Sequence, residues 1–593
     1  MPRLITIRVC MGPAGIAAGG RQTLEAFRSA LAREDITAML KAGCSSHKVG
    51  CMGLCARDTL VEVETDGSRT LYQYVKPAMV ERIVREHIIG GYPVAEWTAS
   101  DDASATFYNR QLRVVLQDCG RLDPEDFDAY CALGGYSSAR KALTQMSPDE
   151  VVCEIKASGL RGRGGAGFPT GQKWEFGRRA AGGEKYIICN ADEGDPGAFM
   201  DRAVVEGNPH LVLEGMIIAA FAIGASRGYI YIRAEYPLAV KRLELAVGQA
   251  RDAGLLGTDI FGSGISFDIT IKLGAGAFVC GEETALIASI EGRRGMPRAK
   301  PPFPAQKGLW GKPTVINNVE TLANIAPIIR RGAKWFSSLG ASRSKGTKVF
   351  ALTGKVRNTG LIEVPFGISL REIIYDIGGG IPGDKAFKAV QTGGPSGGCI
   401  PSEHLDISVD YENLARIGSI VGSGGMIALD EDDCMVNIAR YFLEFTQAES
   451  CGKCAPCRIG TKRLLEIITR ITDGNGREGD LELLEALGND IRASSLCGLG
   501  QTAPNPVLST LRYFREEYEA HLRDRRCPAG VCKSLISFRI SSDRCVGCGA
   551  CSKACPAGAI TGSPRSHYVI SERLCIKCSA CLAACKFAAI SKG

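Results

Sequence analysis

Near its C-terminus the chain reads Cys545-x-x-Cys548-x-x-Cys551-x-x-x-Cys555-Pro556, and the same spacing returns as Cys575-x-x-Cys578-x-x-Cys581-x-x-x-Cys585. A cubane iron–sulfur cluster needs four thiolates. This spacing wraps three of them around one cluster and sends the fourth to its neighbour. One [4Fe–4S] cluster is therefore expected on Cys545, Cys548, Cys551 and Cys585, and a second on Cys575, Cys578, Cys581 and Cys555. Lys586 stands where proline usually follows the second run, which leaves the ligand count intact. A zinc module is the bland reading, and zinc sites rarely use such a doubled run.

Three further thiol sets follow. Cys451-x-x-Cys454-x-x-Cys457 supplies three thiolates, and Cys497 lies beyond a helical stretch long enough to turn the chain back. Together they make a third [4Fe–4S] set, with zinc as the alternative. His521, Cys527 and Cys532, joined by Cys434, offer one imidazole and three thiolates, the donors of a closed tetrahedral zinc site. A surface histidine beside free or buried thiols is the plain alternative. The N-terminal segment holds Cys10, Cys44, Cys51 and Cys55. Cys51-Met-Gly-Leu-Cys55 resembles the second ligand pair of thioredoxin-like [2Fe–2S] domains. Their first pair is Cys-x-x-x-x-Cys, whereas Cys10-Met-Gly-Pro-Ala-Gly15 lacks the second cysteine. Either Cys44 substitutes or the cluster is absent.

A different chemistry is written between Gly159 and Gly171, where six glycines fall in thirteen residues. Gly162-x-Gly164-x-x-Gly167 formally matches a dinucleotide fingerprint, but it follows a predicted helix and not a strand. The physical point stands: such a loop exposes backbone N–H groups that can approach phosphate. Arg161, Arg163 and Lys173 add positive charge, and Phe168, Trp174 and Phe176 offer faces for stacking on flat rings. The predicted strand Lys185 to Cys189 opens into Asn190-Ala-Asp-Glu-Gly-Asp195, whose amide and carboxylates suit ribityl or ribose hydroxyls. A solvated turn is the alternative.

The elements that must position these groups follow from periodicity. Residues 1–95 read as a small α/β unit, with a strand at Leu4 to Val9, a helix at Arg21 to Arg33, and strands Leu60 to Glu64 and Thr70 to Tyr74 around Asp66-Gly67. A helix from Met79 to His87 closes it. Residues 96–146 read as a polar helical connector. Ser147-Pro148-Asp149-Glu150 is a helix start that delivers the chain into the glycine loop. Residues 147–335 alternate strand and helix, and 336–425 form a smaller β-rich unit with strands at Lys348 to Thr353 and Gly360 to Val364. Residues 426–533 are helical; 534–593 hold a strand, Leu535 to Ile540, and the doubled cysteine run.

Bulk properties narrow the class. With 593 residues the chain needs several domains, and a net charge of +7 without a Lys/Arg block gives no sign of nucleic-acid binding. Twenty-five cysteines, an odd number mostly at short gaps, point to metal thiolates and away from a secreted disulfide framework. The start, Met-Pro-Arg-Leu-Ile-Thr-Ile-Arg, lacks a secretory pattern, and the most apolar run, Leu211 to Ala225, is too short to span a membrane. A soluble cytoplasmic protein is expected.

Several long stretches resemble the flavin-binding, NADH-oxidising subunit of respiratory NADH dehydrogenase. They are Gly159 to Trp174, Cys189 to Arg202, Gly274 to Leu286, Pro301-Pro-Phe-Pro304 and Asn317 to Leu322, with Glu449 to Arg458 and Cys497. The N-terminal unit and the double-cubane tail resemble a narrower group, the beta subunits of soluble, often electron-bifurcating, NAD(P)-linked hydrogenases, formate dehydrogenases and transhydrogenases. The resemblance implies a multidomain α/β and α+β chain. In order these are a thioredoxin-like domain, a Rossmann-like FMN and NAD domain, a β-grasp-like domain, a helical [4Fe–4S] domain and a ferredoxin-like tail. It places FMN against Gly162, Arg163, Gly164, Lys173, Asn190, Asp192, Glu193, Gly281, Glu282, Asn317, Asn318 and Thr321. It places NAD(H) or NADP(H) against Phe168, Phe176, Glu283 and Phe303. Phe278 stands where that family has tyrosine, and Asp195 where it commonly has glutamate.

No acid or base is needed for hydride transfer, so Lys173, Glu193 and Glu283 act by positioning. Glu283 favours NAD(H), because a carboxylate near the ribose repels a 2′-phosphate. Implied partners are a small thioredoxin-like [2Fe–2S] subunit, a catalytic subunit of hydrogenase, formate dehydrogenase or transhydrogenase type, and ferredoxin. A non-bifurcating NAD(P)H:acceptor reductase shares every motif. A pure ferredoxin-like electron-transfer module would leave the glycine loop merely structural. A zinc-rich scaffold would not explain the eight tail cysteines.

Overall fold

The computed structural model of the chain describes residues 4–40 and 43–592. The first three residues of the start read as non-secretory, and the terminal Gly593, lie outside the described residues. The chain divides into two compact units: residues 1–428 with Leu496–Gly498, and residues 429–495 with 499–593.

Among the described residues the first unit contains three sheets. In the N-terminal sheet, ordered β2-β1-β3-β4, β1 (Leu4–Cys10) runs parallel to β2 (Gly43–Val49) and antiparallel to β3 (Val61–Thr65). β3 turns through Asp66 and Gly67, both with positive φ, into β4 (Ser68–Tyr72). Ile5, Ile7 and Val9 alternate inward beneath the helix Gly20–Leu31. A helix from Pro77 continues as a wide turn to Ile89, matching the helix expected at Met79 to His87. Strand β2 was not expected: Gly-Cys-Ser-Ser-His-Lys-Val has no apolar alternation, and as an edge strand it is held by its ladder to β1.

Residues 96–146 are helical, as expected, but not polar throughout. They hold the helices Asp102–Asn109, Phe127–Ala132 and Ser137–Gln145, and Val115, Leu116, Tyr130, Ala139 and Leu143 enter the main core. The buried Glu363 carboxylate accepts the N–H groups of Val114, Val115 and Leu116 at 2.9–3.1 Å, so this segment is fastened by a residue far along the chain.

The second sheet is fully parallel, in the order β7-β6-β5-β8: Asp268–Gly274, Arg227–Arg233, Tyr186–Ala191 and Thr314–Asn318. The helix Pro209–Ile223 is buried throughout. Its Glu214 is tolerated there because Tyr130 Oη donates to it at 2.6 Å and the Ser138 and Ala139 N–H groups at 3.0 Å. The third sheet, β10-β9-β13-β11-β12, uses Gly360–Pro365, Thr347–Gly354, Gly425–Asp430, Phe387–Thr392 and Gly398–Pro401. Its strand β13 pairs with β9 through Gly425 to Ala428, so the expected boundary at 425 cuts into a strand.

The second unit is helical up to Leu522, with long helices Met435–Ala448, Thr461–Thr472 and Asp480–Ser494. Its tail forms two small antiparallel pairs, β14 (Phe538–Ile540) with β17 (Ile590–Lys592) and β15 (Ile560–Thr561) with β16 (Val569–Ile570). β14 is shorter than the strand expected from Leu535, because Lys533–Leu535 forms a tight turn. Among the described residues no helix is long and apolar enough to cross a membrane.

Candidate functional site

The order β7-β6-β5-β8 places a topological switch point between β5 and β8, and open α/β sheets bind ligands beyond the C-terminal ends of such strands. Asn190, Asp192 and Glu193 leave the end of β5; Asn317 and Asn318 end β8 and lead into the helix bearing Thr321. Ser147 and Glu150 form a reciprocal cap on the helix Pro148–Ser158, and Gly159, at φ 68°, ends it and starts the glycine loop. A Cβ on Gly164 would lie 2.9 Å from Asn318 Cβ, so the loop rests directly on the end of β8. The helix Thr170–Arg179 then carries Lys173 and Trp174 back to the sheet, where Trp174 Nε1 donates to Asn317 Oδ1 at 2.9 Å.

Two contributors come from far along the chain and carried no sequence signal. A Cβ on Gly167 would strike the Tyr411 ring at 2.7 Å, and Tyr411 Oη donates to Gly162 O at 2.8 Å. Ser423 Oγ donates to the half-buried Asp195 carboxylate. The third sheet's region thus closes over the loop and the acidic segment.

Arg163 does not present the expected free charge. Its guanidinium is buried and donates to the carbonyls of Arg161, Lys345 and Thr347, while its N–H donates to Thr321 Oγ1 at 2.8 Å. It shapes the loop, and the cations beside Glu283 are Lys173 and Lys300. Lys173 Nζ donates to Glu283 Oε1 at 2.7 Å and to Ile316 O at 3.1 Å. Burial pushes the Glu283 carboxyl up, and Lys173 with Lys300 more than offsets it, leaving the group below its ordinary value. Lys300 also pairs with Glu282 at 3.0 Å and had gone unnoticed beside the Pro301-Pro302 motif. Glu282 in turn accepts the Thr284 and Ala285 N–H groups, capping the helix Glu283–Ile290.

Glu193 accepts the N–H groups of Asp201 and Arg202 at 3.1 and 3.0 Å, satisfying the start of the helix Met200–Gly207. Burial raises its carboxyl to about 7, and burial raises that of Asp195 to about 6. Asn190 Nδ2 donates to Gly281 O at 2.9 Å, tying the end of β5 to the turn Phe278–Gly281. Phe168, Phe176 and Phe303 are each 41–53% exposed, so their rings remain available for stacking.

In the second unit Cys545, Cys548, Cys551 and Cys585 line one small recess. A second is lined by Cys555, Cys575, Cys578 and Cys581. Apolar walls surround both: Ile540, Tyr568 and Phe587 in the first, Phe538, Ile560 and Ile570 in the second. Cys451 and Cys454 precede a wide turn at Pro456–Gly460 that carries Cys457, whose Sγ lies 3.2 Å from Ser450 Oγ. Cys497 belongs to the short segment grouped with the first unit.

Cys434, His521, Cys527 and Cys532 are all buried, with one donor atom from each inside 4.8 Å of the others. His521 Nε2 lies 3.4 Å from Cys434 Sγ and 3.3 Å from Cys532 Sγ. Its Nδ1 lies 2.6 Å from Glu517 O, which orients the ring, and the N–H groups of Val531 and Cys532 point at Cys527 Sγ.

At the N-terminus Cys51 Sγ and Cys55 Sγ are 3.6 Å apart, and Cys10 stands beside them. Cys44 cannot join. It pairs with Ile5 on the parallel ladder while Cys10 pairs with Val49, which separates them by about 16 Å along the sheet.

The pattern of the Nuo51 FMN-binding domain matches residues 155–327. That of the NADH-ubiquinone oxidoreductase-F iron-sulfur binding region matches residues 437–521, and a 4Fe-4S binding domain matches 538–561. The NADP-reducing hydrogenase subunit HndC of Solidesulfovibrio fructosivorans is 60% identical over 463 residues, 78% of this chain and 94% of that protein. The chain belongs to the family of FMN-binding, NADH-oxidising subunits. A subunit of the NADH-quinone oxidoreductase of Rhizobium meliloti, another member, is 49% identical over 70% of this chain and 99% of its own length. The NAD+-reducing [NiFe]-hydrogenase in its H2-reduced state aligns with a TM-score of 0.62 at 32% identity, covering 88% of this chain and 84% of the other. As a family member this chain is an FMN and iron–sulfur oxidoreductase subunit of the hydrogenase and NADH dehydrogenase type. The FMN-domain match falls within the segment 147–335 delimited above, and the match at 437–521 contains Cys451, Cys454, Cys457 and Cys497.

Proposed function

We propose that this chain passes electrons between a pyridine nucleotide, FMN and three [4Fe–4S] clusters, as one subunit of a multi-subunit complex. The observation that carries the reading is the pair of tail cavities, each lined by three cysteines of one run and one of the other, in a chain that also carries an FMN domain. The residues at the switch point fit FMN. Amides and carboxylates of Asn190, Asp192, Glu193 and Asn318 suit the ribityl hydroxyls, and the loop at Gly162 and Gly164 leaves backbone close to the end of β8. Lys173 supplies the positive charge. Flavin, when bound, accepts a hydride's two electrons together and releases them singly.

The chain's own groups position and exclude. Glu193 and Glu282 fix two helix starts around the pocket, and Lys173 and Lys300 hold Glu283 ionised where the nucleotide ribose would lie. Phe168, Phe176 and Phe303 offer the stacking faces, Phe278 adds an apolar edge, and Asp195 is locked by Ser423. Glu283 favours NAD(H). The neutralising lysines and an NADP-reducing relative at 60% identity favour acceptance of NADP(H) as well.

The third cluster sits on Cys451, Cys454, Cys457 and Cys497 and receives electrons first. Cys434, His521, Cys527 and Cys532 hold a structural zinc, and Cys10, Cys51 and Cys55 serve a [2Fe–2S] cluster. Exposed Val546, Ile576 and Phe587 border the tail cavities, a surface that suits docking of ferredoxin or a catalytic subunit. The catalytic subunit is of hydrogenase type in this reading, with formate dehydrogenase or transhydrogenase types as the other members of the group. The complex is cytoplasmic and bifurcates electrons towards ferredoxin, with a small thioredoxin-like [2Fe–2S] subunit beside it.

The test is Cys454→Ser in the purified complex. Addition of NADH should still bleach the flavin absorbance while the iron–sulfur signals stay oxidised. Normal cluster reduction in that variant would refute the path.

A further inference from the structure

The N-terminal thiol set is one ligand short of four, and a half-buried carboxylate stands in the gap. Asp58 Oδ2 lies 3.6 Å from Cys10 Sγ, and Cys51 Sγ lies 3.6 Å from Cys55 Sγ. Two thiolates bound to one tetrahedral metal at about 2.3 Å sit about 3.8 Å apart, and a thiolate with a carboxylate oxygen at about 2.0 Å sits slightly closer. Each of these two contacts is spaced as a pair of ligands on one iron, and Cys10 also touches Cys51, which keeps the two pairs adjacent. Cys10 and Asp58 make one pair, Cys51 and Cys55 the other.

The surroundings are built for such a centre. A Cβ on Gly12 would lie 3.2 Å from Cys51 Sγ, and one on Gly15 would lie 3.2 Å from Cys10 Sγ and 2.4 Å from Cys10 O. The loop therefore closes over both thiols, and position 15, where the resembling domains carry their second cysteine, has no room for a side chain. Asp58 is fixed by accepting the Leu60 N–H at 2.8 Å. The Tyr108 hydroxyl is buried without a hydrogen-bond partner among the described residues, and it lies within electrostatic reach of Cys10, Cys51 and Asp58. Such a donor suits a sulfide or thiolate that arrives with a cluster. Arg113 stacks over the same ring at 5.2 Å, adding positive charge beside an anionic site.

We propose that Asp58 is the fourth ligand of an N-terminal [2Fe–2S] cluster whose other ligands are Cys10, Cys51 and Cys55. The inference rests on the N-terminal cluster of the proposed function. A carboxylate is a harder, less electron-donating ligand than a thiolate, so this cluster has a higher reduction potential than an all-cysteine one.

The experiment uses the full chain purified without oxygen. Iron analysis is combined with electron paramagnetic resonance of the reduced protein, warm enough that [4Fe–4S] signals broaden away. Wild type should show a [2Fe–2S] signal. Asp58→Ala should lose it with about two iron atoms per chain, while flavin and [4Fe–4S] contents stay unchanged. Asp58→Cys should retain the cluster with altered g-values and a lower potential. If Asp58→Ala loses flavin as well, Asp58→Asn and Asp58→Cys decide by g-values and potential. Signals identical to wild type across the three variants would overturn the ligand assignment and leave the cluster standing. A wild type with no [2Fe–2S] signal, and the same iron content as Cys51→Ser, would overturn the cluster itself.

Discussion

The tail and the switch-point pocket collect their functional groups in opposite ways. The tail draws all eight cysteines from one short stretch, Cys545 to Cys585, and each cavity is closed by a handful of apolar neighbours. The pocket assembles from segments between Gly162 and Ser423, and its parts are fastened by one another: Asn318 by the loop, Gly162 by Tyr411, Asp195 by Ser423, Glu283 by Lys173. A site built from local spacing has no spare groups. A site built from a mesh of long-range contacts spreads each role over several residues. Single substitutions should therefore act as switches in the tail and as graded adjustments in the pocket.

The sharpest break of this contrast is at Cys585. If the runs cross, Cys585→Ser removes the cluster held mainly by the first run, with loss of about four iron atoms per chain and reduction of an external acceptor falling to background. Flavin reduction by nucleotide should be untouched. Resonance spectra of Cys585→Ser and Cys545→Ser should then match; distinct losses would mean that each run serves its own cluster. An intermediate case is the set of Cys434, His521, Cys527 and Cys532, whose ligands span most of the helical unit yet leave none spare. Zinc binding contributes about 10 kcal/mol or more in small zinc peptides, so chelation or Cys532→Ala should lower the unfolding midpoint of this unit by roughly 10 °C or more. Elemental analysis and calorimetry check it, and an unchanged midpoint with no zinc present would remove the site from the comparison.

The same contrast explains what could be read from sequence. The grouping of the tail cysteines was legible because thiol spacing within one run is itself the geometry. The buried helix Pro209–Ile223 and the cap at Ser147 were legible for the same local reason. Strand β2 was not, because an edge strand of polar residues has no periodic signature, and with it went the means to exclude Cys44. Tyr411 and Ser423 were invisible because nothing near Gly162 or Asp195 in sequence announces a partner more than two hundred positions away. Arg163 misled: composition shows a cation, and only packing reveals that three carbonyls consume it. Asp58 lay unnoticed three residues beyond Cys55, since a lone aspartate after a thiol pair reads as a turn.

Within the pocket the effects should be graded. Glu283→Gln removes a carboxylate that two lysines already balance, so the preference for NADH over NADPH should fall by about tenfold, not collapse. The ratio of kcat/KM for the two nucleotides measures it, and an unchanged ratio would move the specificity determinant elsewhere.

The most local effect is expected at Asp195, whose carboxyl is raised by burial to about 6 although Ser423 donates to it. The folded state then holds a proton through a window in which the unfolded chain, at about 4, has released it. Stability of this segment should fall as pH rises from about 4 to about 6 and stay lower above that, by about 3 kcal/mol at most. Asp195→Asn keeps an acceptor for Ser423 and cannot ionise, so its local opening should vary less with pH across that window, the remainder coming from Glu193, whose carboxyl burial raises to about 7. Amide hydrogen exchange between Asp192 and Arg202, compared at pH 4.5 and 7 after correction for intrinsic rates, reads the difference. Parallel pH profiles in wild type and variant would mean that the mesh around Asp195 holds the segment whether or not the carboxyl is charged.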